Sequence, residues 1–404
     1  MTNSAEHTTQ DARRFLKERA AHHRSWRHHL HAHPEIAFQE HETATFLREH
    51  LAAMGLDLLE GIGGTGLVAT LEGRRPGRCI GLRADMDALP ITEADATLPH
   101  TSQRPGMMHA CGHDGHMAML LAAAEYLSGS RDFAGSIRFI FQPAEEAEGG
   151  GRRMVEEGLF RLAPVDAVFG LHNWPSLPLG QVAVQPGPMM ASMDLFQISL
   201  HARGVHAALP HLGTDAIVAA GTLIASLQTI VSRTNNPHEP LVVSLTQIHG
   251  GNSLNALPDT VELHGTVRTF SEAARELVPR RMREITAGIA MSHDIAIDVA
   301  FTPGYPTTFN HTESAHFAAQ IGDNLANAPA LRAFAPSMAS EDFAFMLRER
   351  PGAYAWIGNG QSTPLHSPYF DFNDELIPLG ALYWIKLATA FLRRGLQEPS
   401  SSVT

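Results

Sequence analysis

The sequence predicts an α/β protein in which a largely parallel central sheet belongs to a domain that is interrupted by a smaller inserted domain. Three observations predict this. At 404 residues the chain exceeds the size at which one hydrophobic core usually stops growing. Short apolar runs alternate with helical patterns, which favours strands joined by helices. From Met190 the order changes to strand-helix-strand-strand-helix-strand, the ferredoxin-like arrangement.

Residues 1–189 are expected to begin the larger domain. One helix is predicted over 13–30, and Pro34 ends it because the residue before a proline avoids helical geometry. A second helix is predicted over 42–54, stopped at Gly55. The buried face of the first helix is expected to contain Phe15, Leu16, Trp26 and Leu30. The later elements of this part are predicted as strands over 66–71, 79–82, 136–141 and 167–171 and an apolar helix over 117–127.

Residues 190–306 are predicted to form the inserted ferredoxin-like domain, and 307–404 to return to the first domain. The insert is expected to contain strands over 195–200, 240–248, 261–269 and 295–301 and helices over 215–231 and 272–291. The last part is expected to contain helices over 312–325 and 379–393 with a strand over 354–357 between them. The final residues, 398–404, are expected to be a disordered tail.

Composition and charge argue against several classes of protein. A net charge of −12 without a basic stripe argues against a nucleic-acid partner. No run approaches the ~20 apolar residues that cross a bilayer, so no membrane partner is expected. Residues 1–10 lack the apolar core of a secretory signal, and two cysteines cannot form a disulfide framework. A cytoplasmic location is therefore expected.

Histidine is unusually frequent, with 24 residues in the chain. Part of the excess crowds the first helix, at His22, His23, His28, His29, His31 and His33. We interpret that cluster as a solvated face of the helix and not as a set of metal ligands. The isolated histidines further along the chain are more informative.

Three apolar, strand-like runs end directly in ionisable residues. The first is followed by Asp85 and Asp87, the second by Glu145 and Glu146, and the third by His172. Ligands bind at the carboxyl ends of parallel strands, which meet at one edge of a sheet, so these side chains are expected to converge. For a single residue, the start of a surface loop would be the preferred interpretation. Three strands that end in the same way make that interpretation the weaker one.

A fourth contribution comes from residues 109–116, His-Ala-Cys-Gly-His-Asp-Gly-His, just before the apolar helix. Cys111 and His113 are two apart, so in an extended loop both can face one site. Asp114 is either a helix N-cap or part of the site. A thiolate, imidazoles and a carboxylate suit zinc or a neighbouring first-row metal, and do not suit magnesium or calcium.

The pair Glu145 and Glu146 requires two different roles. Adjacent carboxylates repel each other unless cations lie nearby. One of them can bind metal while the other carries the proton of an attacking water. The residues alone leave open which glutamate has which role, and a solvated acidic turn is the alternative for the pair taken by itself.

Four segments, 83–90, 109–116, 141–146 and 170–175, resemble one metallopeptidase family. It contains aminoacylase, carboxypeptidase G, hippurate hydrolase and the plant auxin-conjugate hydrolases, and the chain is most similar to the hippurate and auxin-conjugate branch. The resemblance continues at 31–35, 204–211, 340–343 and 365–366, and so covers nearly the whole chain. It implies a zinc-peptidase-like catalytic domain with an inserted lid and dimerisation domain.

The resemblance also implies a binuclear metal site. Its ligands would be Cys111, His113, Glu146, His172 and His366. Glu145 matches the general base of the family, and Asp87 matches an aspartate that orients a ligand. Zinc or manganese would be bound, with cobalt or nickel as alternatives. The wider family has His-x-Asp where this chain has Asp85 and Asp87, and a bridging aspartate where it has Cys111. Metal identity and bridging geometry therefore stay open.

Three residues of the insert match substrate-binding residues of the family. His206 matches a histidine that polarises the scissile carbonyl or steadies its oxyanion, and can come from a partner subunit. Asn255 and Arg268 match residues that hold the free carboxylate of the substrate. Without the resemblance, His206 would be an ordinary turn histidine and Arg268 a surface charge. The two domains are expected to close on the substrate, and the chain to form a homodimer or homotetramer.

The predicted reaction is hydrolysis of an N-acyl amino acid, hippurate-like or N-acetylated, to a carboxylic acid and a free amino acid. A dipeptidase or carboxypeptidase on the same scaffold is the first alternative. A non-catalytic metal-binding protein is the second, although such a protein would need neither an uncoordinated Glu145 nor residues that match substrate-binding positions.

Overall fold

A computed structural model of the protein describes residues 2–146 and 149–394. The chain forms two compact units. The first unit contains Met1–Met189, Phe309–Ala335 and Asp342–Thr404, and the second contains Met190–Thr308 and Pro336–Glu341. The predicted tail, 398–404, lies outside the described residues.

The elements up to the start of the second unit are α1 (Thr2–Glu18), α2 (Ala20–Ala32), α3 (His41–Ala53), β1 (Asp57–Ile62), β2 (Gly66–Glu72), β3 (Arg75–Asp85), α4 (His113–Ser128), β4 (Ala134–Gln142), α5 (Gly150–Glu156), α6 (Leu159–Leu162), β5 (Ala167–Trp174), β6 (Val182–Ala183) and β7 (Gly187–Met190). Those that follow are β8 (Ser192–His201), a 3₁₀ turn (Pro210–Leu212), α7 (Ala216–Thr229), a π-helical turn (Ile230–Thr234), β9 (Leu241–Gly250), β10 (Thr260–Thr269), α8 (Glu272–His293) and β11 (Ala296–Tyr305). The last are β12 (Thr308–Asn310), α9 (Thr312–Gly322), α10 (Ala344–Glu349), β13 (Gly352–Gly358) and α11 (Leu376–Arg394).

The first unit is built on a seven-stranded sheet with the order β1-β2-β4-β3-β5-β13-β6. The four central strands β4, β3, β5 and β13 are parallel to one another. The outer strands β1, β2 and β6 are antiparallel, so the sheet is mixed around a parallel centre. Strands β4 and β5 are buried along nearly their whole length, which is typical of strands covered on both faces. The predicted α/β fold class is confirmed.

Helices α4 and α11 supply much of the core that covers this sheet. They approach closely, because a Cβ atom at Gly380 would lie only 1.9 Å from the Met119 sulfur. Gly115 similarly lies against the Phe372 ring, which a Cβ atom would meet at 2.3 Å. Small residues at these positions let α4 sit deep in the unit, and its first turn carries predicted site residues.

Two helical segments, Ala216–Thr234 and Leu376–Arg394, are long and apolar enough to span a membrane by length and composition alone. Core helices pass the same test. The apolar window of Leu376–Arg394 is 67% buried, so packing in the first unit accounts for its composition. That of Ala216–Thr234 is 33% buried and supplies one face of the core of the second unit.

Three sequence predictions about the first unit are wrong in detail. The helix predicted over 13–30 is two helices, α1 and α2, separated at Arg19. No glycine or proline marks the break, so the pattern of apolar residues runs through it. Cys111 and His113 do not share an extended loop, because His113 is the first residue of α4. His172 lies within β5 and not beyond its end.

The second unit is a four-stranded antiparallel sheet with the order β11-β8-β10-β9. Alternate residues of β10 are buried, as expected of a sheet covered on one face. Helices α7 and α8 complete the core, which includes Leu223 and Met282. The strand order and the intervening helices reproduce the predicted ferredoxin-like arrangement.

Candidate metal centre

A sharp turn at Gly112 brings Cys111 and His113 to the same end of α4. Gly112 has a φ of +91°, a left-handed conformation that favours glycine. A Cβ atom there would also lie 2.4 Å from the Asn173 side-chain oxygen. Cys111 and His113 are both buried. The turn therefore replaces the extended loop of the sequence prediction as the means by which both side chains reach one site.

Backbone carbonyls fix the ring orientation of two predicted histidine ligands. The Nδ1–H group of His113 donates to the Asp87 carbonyl oxygen at 2.8 Å. That of His172 donates to the Asn173 carbonyl oxygen at 2.7 Å. In the neutral form of each ring the lone pair is then on Nε2, the form in which histidine binds metal. The Nε2 atom of His172 lies 3.4 Å from the Cys111 sulfur.

Glu146 and His366 meet beside these residues. The His366 Nε2 atom lies 3.3 Å from Glu146 Oε1, and the His113 Nε2 atom lies 3.8 Å from the same oxygen. His366 has a φ of +63°, and its N–H group donates to the Ala110 carbonyl oxygen at 2.9 Å. A strained backbone at a histidine is typical of functional sites. The residue that only the family resemblance implied is thus held next to the segment that carries Cys111.

Potential ligand atoms form two sets that suit two cations. The atoms of Cys111, Glu146 and His366 all lie within 4.8 Å of one another, as do those of Asp85, His113, His116 and His172. Within the described part of the chain, the buried His113 Nε2 and Glu146 Oε1 atoms have no hydrogen-bond partner. Such atoms are costly unless something binds them. A thiolate with imidazoles and a carboxylate fits zinc or a similar transition metal.

His116 and Asp85 belong to the second set but satisfy each other. The Nδ1–H group of His116 donates to an Asp85 oxygen at 2.6 Å, and its Nε2 atom accepts the Asn173 backbone N–H at 3.0 Å. The other Asp85 oxygen accepts from Arg83 at 2.7 Å. Hydrogen bonds therefore occupy both groups, which leaves His113 and His172 as the residues of this set with metal-binding nitrogens.

Charges in this cluster favour cations. Burial opposes charge on His113, but Asp85, Asp87 and Glu146 together raise its pKa to about 10. Burial, reinforced by the charges of Glu146 and Glu145, raises the pKa of the Cys111 thiol. Without metal, His113 and the Cys111 thiol thus keep their protons, and metal binding to these two residues would release them.

Glu145 is buried next to this cluster. One of its oxygens belongs to a group with His113 and Glu146 whose ligand atoms lie within 4.8 Å of one another. The same side chain accepts the Asp342 backbone N–H at 3.4 Å. Asp87 contacts two predicted ligands, since its Oδ2 atom accepts the Glu146 N–H at 2.9 Å and its Oδ1 atom lies 3.3 Å from His113.

A buried arginine, for which no role was predicted from the sequence, connects these residues. Arg83 donates to Gln142 at 2.8 Å, to Asp85 at 2.7 Å and to Asp342 at 3.2 Å. Asp342 in turn holds the N-terminus of α5 through the Gly151 N–H at 2.7 Å. Both Arg83 and Asp342 lie in segments that carry the family resemblance, which was the signal available in the sequence.

Two histidines of the N-terminal cluster contradict the interpretation as a solvated face. His23 and His31 are fully buried. His23 pairs with Glu125 at 2.7 Å, and His31 pairs with Asp114 at 2.9 Å. Asp114 makes no capping hydrogen bond at the start of α4, contrary to one of the two predicted roles. In addition to His31, it pairs with Arg27 at 2.7 Å. The spacing of apolar residues could not indicate buried polar partners supplied by distant segments.

The predicted substrate residues His206, Asn255 and Arg268 lie in the second unit. His206 and Asn255 are exposed and lie on paired segments, since the Ala207 N–H donates to the Asn255 carbonyl oxygen at 2.8 Å. Arg268 is half-buried on β10 and donates to the Ser340 hydroxyl at 3.1 Å. The structure brings His206 and Asn255 together, while their roles stay predictions.

Comparison with known proteins identifies relatives along nearly the whole chain. A family model described as peptidase family M20/M25/M40 matches residues 81–390. The chain is 39% identical to the N-acetylcysteine deacetylase of Bacillus subtilis, over 91% of this chain and 96% of that protein. It is also 39% identical to the hippurate hydrolase of Campylobacter jejuni, with the same two coverages.

Among solved structures, it resembles the YXEP protein of Bacillus subtilis, described as a dinuclear metal binding peptidase from the M20 family. The TM-score is 0.82 at 36% identity, over 93% of this chain and 99% of that chain.

Proposed function

This chain belongs to peptidase family M20/M25/M40, and we propose that it hydrolyses N-acyl amino acids. It is a metal-dependent amidohydrolase with two divalent cations. The substrate class has the form R-CO-NH-CHR'-COO⁻, and the products are a carboxylic acid and a free amino acid. Relatives named for N-acetylcysteine and hippurate support this class. The observation that carries the proposal is the buried Glu145 beside a thiolate, imidazole and carboxylate set suited to metal.

In this mechanism one set of residues holds the cations and another residue transfers the proton. Cys111, His113, Glu146, His172 and His366 would hold the cations, for which zinc or manganese is proposed. When bound, the cations lower the pKa of a water and polarise the scissile carbonyl. Glu145 removes a proton from the attacking water as the oxygen of this water bonds to the carbonyl carbon. The same carboxyl then gives the proton to the leaving nitrogen as the C–N bond breaks.

Substitution of the proposed base tests this mechanism. Glu145→Gln keeps the shape of the side chain but cannot accept the proton, so we expect turnover to fall by at least ~100-fold. Metal content should stay at the wild-type value because Glu145 is not one of the proposed ligands. Hydrolysis of hippurate and N-acetyl amino acids and metal analysis would be measured on the same samples. Near-normal turnover in the variant would refute the base assignment.

Arg268 is proposed to bind the carboxylate of the substrate, with Asn255 beside it in this role and His206 at the scissile carbonyl. The planar guanidinium matches a carboxylate in two-point fashion, and Arg268 is only half-buried. We expect Arg268→Ala to raise KM at least ~10-fold for N-acyl amino acids and much less for the matching amides. Equal effects on acids and amides would argue against the assignment, and a preference for dipeptides over both would favour a dipeptidase.

Assembly as a homodimer through the second unit is also proposed, with a homotetramer as the larger alternative. Two observations support this. Strand β9 is paired on one side only, by β10, in the described sheet. Large apolar side chains are exposed in this unit, among them Ile217, Val218 and Ile248. Light scattering should give twice or four times the 43.8 kDa chain mass, and a monomer at micromolar concentration would contradict the proposal.

A cytoplasmic location is proposed as well. Both cysteines are free, and one of them, Cys111, is a proposed ligand that must stay reduced. Cell fractionation with an antibody against the protein would test this, and recovery in an extracellular fraction would contradict it.

A further inference from the structure

The turn that carries Glu145 has a strained backbone. Strand β4 ends at Gln142, and the chain then passes through Ala144 before it reaches Glu145 and Glu146. Ala144 has a φ of +53°, in the left-handed region that residues other than glycine rarely adopt. Such a conformation is strained and persists only where the surroundings hold it. The direction in which Glu145 leaves the strand therefore depends on the contacts of Ala144.

Ala144 is held on both sides. Its carbonyl oxygen accepts the Gly150 N–H at 3.0 Å, and its own N–H donates to a Glu40 carboxylate oxygen at 2.9 Å. Ala144 is fully buried, so water cannot replace either hydrogen-bond partner. Gly150 packs so tightly that a Cβ atom would lie 1.8 Å from the Pro143 carbonyl oxygen. Of these two hydrogen bonds, the one to Glu40 is made by a side chain.

Glu40 is an unusual residue for a purely structural role. It is fully buried just before α3, and its second oxygen accepts the Thr65 hydroxyl at 2.6 Å. Within residues 2–146 and 149–394 it has no ion-pair partner. Burial, despite the hydrogen bond from Thr65, raises the pKa of Glu40 to about 7. A buried carboxyl group without a cation beside it lowers the stability of the fold. Its presence therefore needs a reason other than stability.

Capping of α3 does not supply that reason. The Glu40 side chain makes no capping hydrogen bond, although it stands at the N-cap position. The start of α3 is held instead by Glu35, which accepts the N–H groups of Glu42 at 3.2 Å and Thr43 at 2.8 Å. Two buried glutamates of one segment thus serve different partners, one the helix and the other the turn before Glu145.

We propose that Glu40 is a positioning residue for the reaction: by holding the Ala144 N–H, it fixes the direction of Glu145 toward the scissile bond. The inference rests on the proposed function, in which Glu145 is the base. It assigns Glu40 no contact with substrate or metal. Its effect should therefore fall on kcat, since a misplacement of the order of 1 Å can cost about 100-fold in rate.

Three variants of Glu40 and one matched control test this. Glu40→Ala and Glu40→Asp both withdraw the acceptor from Ala144, so kcat should fall about tenfold to 100-fold with KM and metal content near wild type. Glu40→Gln should restore most of kcat, because its amide oxygen can accept from Ala144 while its amide N–H donates to Thr65. Glu35→Ala, which removes a buried glutamate from the same segment, should lower stability and leave kcat near wild type.

The outcomes separate the inference from the function on which it rests. If Glu40→Ala does not fold, the comparison of Glu40→Asp with Glu40→Gln still tests the inference. The aspartate side chain is too short to reach the Ala144 N–H, whereas the glutamine side chain has the same length as glutamate. Equal loss of kcat in Glu40→Gln and Glu40→Asp, or in Glu35→Ala, would overturn the inference. Glu145→Gln is measured in parallel: if it stays active, the proposed base fails, whereas an inactive Glu145→Gln with a fully active Glu40→Asp refutes the positioning role alone.

Discussion

At the scale of single residues, hydrogen bonds decide how the candidate site presents its ligand atoms. His113 and His172 each donate Nδ1–H to a backbone carbonyl and so direct Nε2 toward Cys111 and Glu146. His116 is chemically identical but uses both nitrogens in hydrogen bonds to Asp85 and Asn173. Three buried histidines therefore differ in role because their hydrogen-bond partners differ.

The raised pKa of Glu40 also leads to a prediction about how stability depends on pH. Its pKa is raised from its ordinary 4.5 to about 7 by burial, so between these values the unfolded chain has lost a proton that the folded chain keeps. Folding stability should therefore fall as pH rises through this window. Glu40→Gln cannot ionise, and we expect its stability relative to wild type to rise by ~3 kcal/mol between pH 4.5 and 7, with no further change above.

Urea unfolding of the metal-free proteins at several pH values measures this difference. Metal-free protein is used because cations would change the charge near Asp87, which also contributes to the raised pKa. A stability difference that does not change with pH would show that Glu40 titrates at its ordinary value.

At the scale of elements, the first turn of α4 joins core packing to the metal site. The sequence placed this helix at 117–127, but it begins at His113. Residues His113 to His116 are buried although three of the four are polar or charged, so the apolar pattern could not reveal them. The start depends on Gly112, whose left-handed φ turns the chain between two proposed ligands.

Substitution of Gly112 should therefore affect both stability and metal binding. Gly112→Ala adds strain of about 1–3 kcal/mol and a clash with Asn173, so we expect metal affinity to fall at least ~10-fold. Gly106→Ala is the matched control, because Gly106 also has a positive φ, of +80°, but a Cβ atom there would meet nothing within 4 Å. Calorimetric titration of zinc into metal-free protein would measure affinity. Equal affinities in the two variants would show that the turn does not position the ligands.

At the scale of the whole molecule, two compact units have separate hydrophobic cores. The core of the first unit surrounds the seven-stranded sheet, and that of the second lies between its sheet and helices α7 and α8. All five proposed metal ligands belong to the first unit. The free energy of metal binding should therefore stabilise the first unit directly.

Metal removal tests this division. We expect a chelator to lower the unfolding temperature of the first unit, because binding at 100 times Kd adds about 2.7 kcal/mol per cation. A transition from the second unit should stay unchanged. Scanning calorimetry of metal-free and metal-loaded protein would record both, and equal shifts of two transitions would contradict the assignment of metal to the first unit.

The sequence by itself determined the fold class, the ferredoxin-like arrangement and the convergence of residues at strand ends. These depend on local signals: apolar periodicity marks the elements, and the ends of parallel strands share one edge. Asp85 and His172 were brought to one region by that argument alone, and their ligand atoms do lie within 4.8 Å. Division of the pair Glu145 and Glu146 needed the family resemblance.

Only the tertiary structure decided the finer assignments. It placed His366 against Glu146 and showed that His116 and Asp85 form a hydrogen bond with each other. It also brought Glu40 into contact with Ala144, which is 104 residues away in the sequence. Each of these is a hydrogen bond or ion pair between distant segments. Periodicity reports which face of an element is buried, but the partner of a buried polar atom is chosen by the packing of the whole unit, which no local pattern encodes.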